Sequence, residues 1–448
     1  MTDRERADYD VAILGAGPVG VEAALRSVQD GYRTILVGAT GAACREWGHV
    51  RMFTPWRMNT SERGRAIVAD LPLDDCPTGA ELAQRYLDPL VADLDGRLTH
   101  VADGFVESVV RVGWPKRAGV GAEARATAAF ELRGLPPEPQ PLGTISEWPV
   151  DGNRLAAECR PRTSVVLDCT GTFNTEDCDG TPNNGFTTPE DARRIDTGLK
   201  DWTAWWAELP SPVVRVLVLG GGASAATDAI ALSDLGLAVT IATRGPHAAP
   251  DVVDDPLPNR ARLFDAVRKR VADGRITFVP NVTLAEAVAL GRDHERPCLR
   301  HLQDGEPIRT RVRFRTASGQ LVSCGEDFDA AFDLVIDDTG FVPDVSLFRE
   351  LQVHLCYATE GPMALAAHLM SEDAAAGDGP VDCLSQSGGD ASLLATTEPG
   401  FFILGAKSYG RRSNFLLRAG LEQVDAAFDE LVPAHLDRVR QAVAANKT

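Results

Sequence analysis

Val11-Ala12-Ile13-Leu14-Gly15-Ala16-Gly17-Pro18-Val19-Gly20 opens the ordered reading of this chain. Four consecutive apolar residues, Val11–Leu14, predict a short strand buried on both faces. The glycine spacing Gly15-x-Gly17-x-x-Gly20 follows directly. In such a turn the first glycine allows the tight bend, the second lets a diphosphate approach the backbone, and the third lets helix pack on strand. A helix is expected from Val21 to Gln29, a turn at Gly31, and a second strand over Thr34-Ile35-Leu36-Val37. The helix N-terminus supplies unpaired N–H groups and the positive end of a dipole, both suited to an anion.

The pattern recurs. Val213-Val214-Arg215-Val216-Leu217-Val218-Leu219 runs into Gly220-Gly221-Gly222-Ala223-Ser224-Ala225, with a helix expected to Asp234 and a strand over Ala238–Ala242. Gly220, Gly222 and Ala225 take the three glycine roles. Both copies also close alike: Ser164–Leu167 leads into Asp168-Cys169-Thr170-Gly171, and Phe332–Ile336 into Asp337-Asp338-Thr339-Gly340. The fold class is therefore α/β, with two Rossmann-like dinucleotide-binding domains, the second inserted into the first. The expected divisions are 1–205, 206–342 and 343–448. Short strands are expected in 100–165 and 275–330, an irregular crossover in 172–211, loops in 371–400, a strand over Phe401–Gly405, and a closing helix from Asn414.

The chain has 448 residues and a net charge of −19, which disfavours nucleic acid and anionic membranes as partners. No apolar run reaches the roughly 18 residues of a membrane span, and the charged N-terminus does not resemble a secretory signal. Nine cysteines without a Cys-x-x-Cys pair point to a reducing, cytoplasmic setting and away from a disulfide scaffold. No spacing of His, Cys or carboxylates predicts a metal site.

The residue ending the second strand of such a unit contacts the adenosine ribose. In the second copy it is Arg244, whose guanidinium suits a 2′-phosphate and favours NADPH over NADH. In the first copy Gly38 stands where a carboxylate is expected, and Thr40 or Arg45 would reach the ribose instead.

These features resemble the two-dinucleotide-binding-domain flavoproteins, which include thioredoxin-reductase-like enzymes and flavin-dependent monooxygenases. Closer likeness, to bacterial FAD-dependent NAD(P)-binding oxidoreductases, rests on Glu46–Arg57 and Glu398–Gly410. The resemblance implies FAD on the first cradle (Gly15, Gly17, Pro18, Val19, Gly20, Gly38, Thr170, Gly171, Gly405) and NADPH on the second (Gly220, Gly222, Ala223, Ser224, Ala225, Arg244, Gly340). It also places Arg45, Trp47, His49, Arg51, Trp56 and Arg57 near the flavin ring, with Lys407 close to the cofactor. His49, Arg51 and Lys407 are the catalytic candidates. The chain departs from the family in lacking a Cys pair, and in reading Gly405-Ala406 where many members read Gly-Asp.

The expected function is an NADPH-using flavin monooxygenase acting on a small metabolite through a flavin C4a-hydroperoxide. The alternatives are an NADPH:acceptor reductase without oxygen insertion and a redox-inactive nucleotide-binding protein. The partner is a small-molecule substrate, and a homodimer is the open option for assembly.

Overall fold

The computed structural model describes residues 7–135, 159–173, 196–197, 199–208, 215–250, 255–290, 309–316, 318–323, 331–376 and 388–445. They divide into two compact units: Met1–Arg45, Thr54–Thr172 and Pro343–Thr448 form the first, and Glu46–Phe53 with Phe173–Val342 the second. The chain leaves the first unit, builds the second and returns. The main crossing lies at 172/173 rather than 205/206, and the short Glu46–Phe53 excursion adds another.

The first unit is a sheet of β1 (Tyr9–Leu14), β2 (Thr34–Val37), β3 (Thr99–Val101), β4 (Ser108–Arg111), β5 (Phe130–Arg133) and β6 (Arg162–Asp168) in the order β3-β2-β1-β6-β5-β4. Val11, Ala12 and Ile13 are fully buried in β1, as a strand flanked by parallel β2 and β6 and covered on both faces requires. β6 shares its far edge. Its start pairs antiparallel with β5, and its end pairs parallel with the Phe401–Ile403 strand. The C-terminal part of the chain is thereby stitched to the turn that follows β6. The helix α1 (Pro18–Gln29) connects β1 to β2.

The second unit repeats the plan. β7 (Asp196–Thr197), β8 (Arg215–Leu219), β9 (Ala238–Ala242), β10 (Ile276–Val279) and a later strand over Leu334–Asp337 form a parallel sheet with β8 at its centre. A small antiparallel sheet is built from β11 (Val282–Leu290), β12 (Arg309–Thr316), β13 (Leu321–Ser323) and β14 (Ala331–Phe332), which makes the Leu334–Asp337 strand β15. α2 (Ala223–Asp234) follows β8, and α3 (Pro258–Ala272) packs beside it. Their core includes Val216, Val218, Ala229, Ile241, Phe264 and Trp202.

Three expectations shift. Part of the supposedly irregular crossover is a helix, Trp202–Glu208, because Trp202 is 2% exposed and anchors it in the core. The 371–400 stretch begins helical, since Met363–Ala376 is one helix. The closing helix starts at Leu417, three residues past Asn414. Among the described residues, no helix is long and apolar enough to cross a membrane.

Candidate functional site

The two cradles are built alike, atom for atom, in their tightest contacts. Gly15 has φ +100 and Gly220 φ +126, a region that L side chains rarely adopt. A methyl group on Gly15 would fall 2.5 Å from the Cys169 carbonyl oxygen, and one on Gly220 2.4 Å from that of Asp338. Cys169 and Asp338 hold the same place in the two Asp-x-Thr-Gly turns. Those turns share one hydrogen-bond device. Asp168 Oδ1 accepts from the Thr170 backbone N–H (3.2 Å) and hydroxyl (2.7 Å), and Asp337 Oδ1 accepts from those of Thr339 (2.9 and 2.6 Å).

The middle glycines are different. Gly17 (φ −75, ψ −175) and Gly222 (φ −87, ψ −170) have backbone angles open to any residue. A methyl group on either would meet nothing within 4 Å. Neither packing nor backbone angle calls for glycine at either position, and the open space lets a group approach the backbone from outside. Both residues are helix N-caps with no side-chain cap, and neither helix has an acidic residue in its first turn. Each N-terminus is left as bare N–H groups, which is what a diphosphate requires. Pro18 occupies the first turn of α1, and Ala223 and Ser224 that of α2.

Packing fixes α1 in place. A methyl on Gly20 would fall 1.8 Å from the Gly15 carbonyl oxygen, and Val19 fits against Gly405 and Gly420. Glu22, 1% exposed, is bound by Arg63 and by the Ser61 hydroxyl (2.9 Å). Burial still pushes its carboxyl above the usual carboxylate range despite the pull of Arg63. In the second unit Ala225 is fully buried in the place of the third glycine.

At the end of β2, Gly38 has φ +118. Its N–H donates to Val101 O (3.0 Å), and its carbonyl meets His100 Nε2 at 3.0 Å. The backbone conformation itself favours glycine over the carboxylate expected there. Arg45 is bound to Asp88 at 2.6 and 2.7 Å. Arg244 is exposed at the end of β9, where Thr243 Oγ1 ties the turn to Gly245 O (2.8 Å).

The aromatic and basic stretch separates. Arg45, Trp56 and Arg57 belong to the first unit, and Trp47, His49 and Arg51 to the second. Trp56 is 1% exposed, with the Arg85 guanidinium 5.6 Å from its ring centroid, so it serves as a core anchor. Arg57 pairs with Asp74. His49 and Arg51 are exposed and Trp47 half-buried.

Lys407 is almost fully buried in a structural clamp. Its Nζ lies 2.7 Å from Asp168 Oδ2 and donates to Thr170 Oγ1 at 2.9 Å. It sits 5.3 Å from the Phe348 ring centroid. Gly171 (φ +70) has open space beside it, and Gly340 (φ +109) is exposed. Gly405 donates its N–H to Gln423 Oε1 (2.7 Å). The thiols of Cys44 and Cys169 are buried, which pushes Cys44 up to about 12 and raises Cys169 as well. Among the described residues no group of His, Cys, Asp and Glu is arranged to bind a metal.

Two buried charge clusters are not apparent from motifs. In the first unit Glu398 is bound by Arg111 (2.8 Å), Arg125 (2.8 Å) and the Gln352 N–H (2.7 Å), and Arg111 stacks 3.6 Å from the Phe130 ring centroid. Burial pulls Arg111 down to about 10. In the second unit Asp228 of α2, fully buried, faces Asp338 of the second Asp-x-Thr-Gly turn.

No protein-family model matches the sequence, and no curated protein matches it. Solved structures match its fold. Bacillithiol disulfide reductase Bdr (YpdA) from Bacillus cereus is 17% identical with a TM-score of 0.59, covering 95% of this chain and 99% of that one. The Staphylococcus aureus Bdr is 14% identical, with a TM-score of 0.56 and coverage of 96% and 99%. Lactococcus lactis thioredoxin reductase, in its FR conformation, is 16% identical, with a TM-score of 0.54 and coverage of 96% and 99%. At these identities the likeness is one of fold: this chain has the two-domain architecture of thioredoxin-reductase-like proteins.

Proposed function

We propose that the chain is a flavin-dependent oxidoreductase that binds FAD on the first cradle and NADPH on the second, and reduces a small acceptor. The observation that carries this reading is the pair of middle glycines, Gly17 and Gly222, which the protein's own packing does not require. Gly15, Gly17, Gly20 and the open N-terminus of α1 would hold the FAD diphosphate. Gly220, Gly222 and the N-terminus of α2 would hold that of NADPH, with Arg244 on the 2′-phosphate. Bound in this way, FAD supplies the two-electron step between NADPH and the acceptor.

The protein contributes orientation and charge. The bare N–H groups neutralise diphosphate, while the Lys407–Asp168–Thr170 clamp keeps the first turn rigid beneath the cradle. The structures sharing this fold are reductases by their titles, which favours an NADPH:acceptor reductase. The sequence has no Cys-x-x-Cys pair, and Cys44 and Cys169 are held as thiols, so electrons pass to the acceptor without those two groups.

The lack of such a pair equally suits a second reading, in which dioxygen is the acceptor and a small metabolite is oxygenated. NADPH oxidation measured in air and under anaerobic conditions, with peroxide titrated, separates the two. A reductase oxidises NADPH without oxygen once a quinone or similar acceptor is added. An oxygenase consumes oxygen and yields little peroxide when its substrate is present. A protein that oxidises no NADPH under either condition contradicts both.

A further inference from the structure

We propose that the first unit binds a small oxyanion, one carboxylate or one phosphate group, in a cavity lined by Arg125 and Arg438 and separate from the first cradle. The cavity measures about 80 Å³, and its lining includes Ala122 and Gln352. All four residues belong to the first unit. That volume is well above the ~10–15 Å³ that admits a single water, and an anion of a few heavy atoms fits it.

The buried charges around the cavity do not balance. Arg111 and Arg125 have side chains 0% and 3% exposed, and both pair with Glu398, itself 0% exposed. Among the described residues neither arginine pairs with a second carboxylate. One buried positive charge is therefore left without an anion, a state that proteins otherwise avoid. The two arginines meet this differently. Arg111 donates further to the Ala128 and Pro399 carbonyls at 2.5 Å each, and its guanidinium lies 3.6 Å from the Phe130 ring centroid. Beyond Glu398 (2.8 Å), Arg125 reaches only the Trp114 and Pro115 carbonyls, at 3.3 and 3.4 Å, longer than an ordinary N–H···O bond. Of the trio, Arg125 is the member that lines the cavity. The guanidinium with the weakest set of partners is thus the one with open space beside it.

Arg438, from the closing helical segment Val432–Ala445, adds a second guanidinium to the lining. It is bound to Glu123, with Nε 2.6 Å from Oε1, so three guanidinium groups stand against two carboxylates. One anion completes the set. A guanidinium presents a planar fork of N–H donors that matches carboxylate and phosphate oxygens. The wall is held in place without the anion, because Gln352 Nε2 donates to Lys116 O (2.5 Å) and Ala118 O (3.2 Å) while its backbone N–H donates to Glu398 (2.7 Å). The site does not depend on which nucleotides the cradles take.

Calorimetric titration of the full-length protein, with acetate in one arm and inorganic phosphate in the other at constant ionic strength, tests the proposal. At least one of them should saturate at one anion per chain, and the arm that does so identifies the group the site takes. Ala122→Asp supplies an internal carboxylate to the cavity. Ala122 is the N-cap of the Glu123–Ala126 turn and makes no side-chain cap bond, a position that favours Asp, so this variant should fold and lose the titration. Arg438→Gln removes one of the two lining guanidinium groups and should weaken binding by about tenfold. Saturation by neither anion overturns the proposal. Binding to Ala122→Asp as tight as to the wild type also overturns it, because the anion then sits elsewhere, the open N-termini of the cradles included.

Discussion

A methyl group at Gly20 would fall 1.8 Å from a carbonyl oxygen, while one at Gly17, three residues earlier, would meet nothing. The two positions therefore respond to mutation differently. Gly20→Ala should destabilise the protein by about 3 kcal/mol, the cost of overpacking a tight contact, read as a fall in the urea midpoint. Gly17→Ala should lower that midpoint by no more than the roughly 1 kcal/mol of a weakened N-cap and reduce FAD retention at least tenfold, read by flavin content after gel filtration. Equal losses of stability in both variants would show that Gly17 serves the fold alone. Lys407 holds a buried ion pair with Asp168. Its ammonium neutralises the buried Asp168, so Lys407→Met should cost roughly 3–5 kcal/mol by stranding a charge. A soluble variant with native stability would leave the clamp without its assigned role.

The β-α-β units and their closing turns were legible in the sequence because the forces that make them are local. Asp168 and Asp337 bond to residues two positions on, so Asp-x-Thr-Gly announces its own turn. The acidic pair in the second unit was not legible, because α2 brings Asp228 to Asp338 only when the sheet forms. The same holds for Lys407 and Asp168, and for Glu398, which finds its two arginines across three segments. The 45–57 stretch looked like one element and is divided between the units, since a run of aromatic and basic residues does not reveal which core each side chain joins. The place of Arg244 just past a strand end follows from the β-α-β register; its role is a proposal. It lies two residues past the end of β9, and Arg244→Ala should raise the KM for NADPH at least tenfold while changing that for NADH little. An equal effect on both coenzymes would remove the 2′-phosphate role.

Across the whole molecule, stability should fall on the acid side. On the acid side the relevant group is His435, buried against Gly400 in the first unit. Burial first, then Arg111 and Arg438, pull it down to about 4. The unfolded chain binds this proton near pH 6.5, so stability is lost as pH falls from there towards 4, by roughly 3 kcal/mol. His435→Phe should flatten that limb of the melting profile. The central claim is that two dinucleotide cradles in one chain serve one electron path, and the absorbance spectrum under anaerobic NADPH titration tests it most directly. The account predicts the bands of oxidised flavin, at one FAD per chain, bleached by about one equivalent of NADPH. A colourless protein that takes up no FAD on incubation, or a bound flavin that NADPH leaves oxidised, would contradict it.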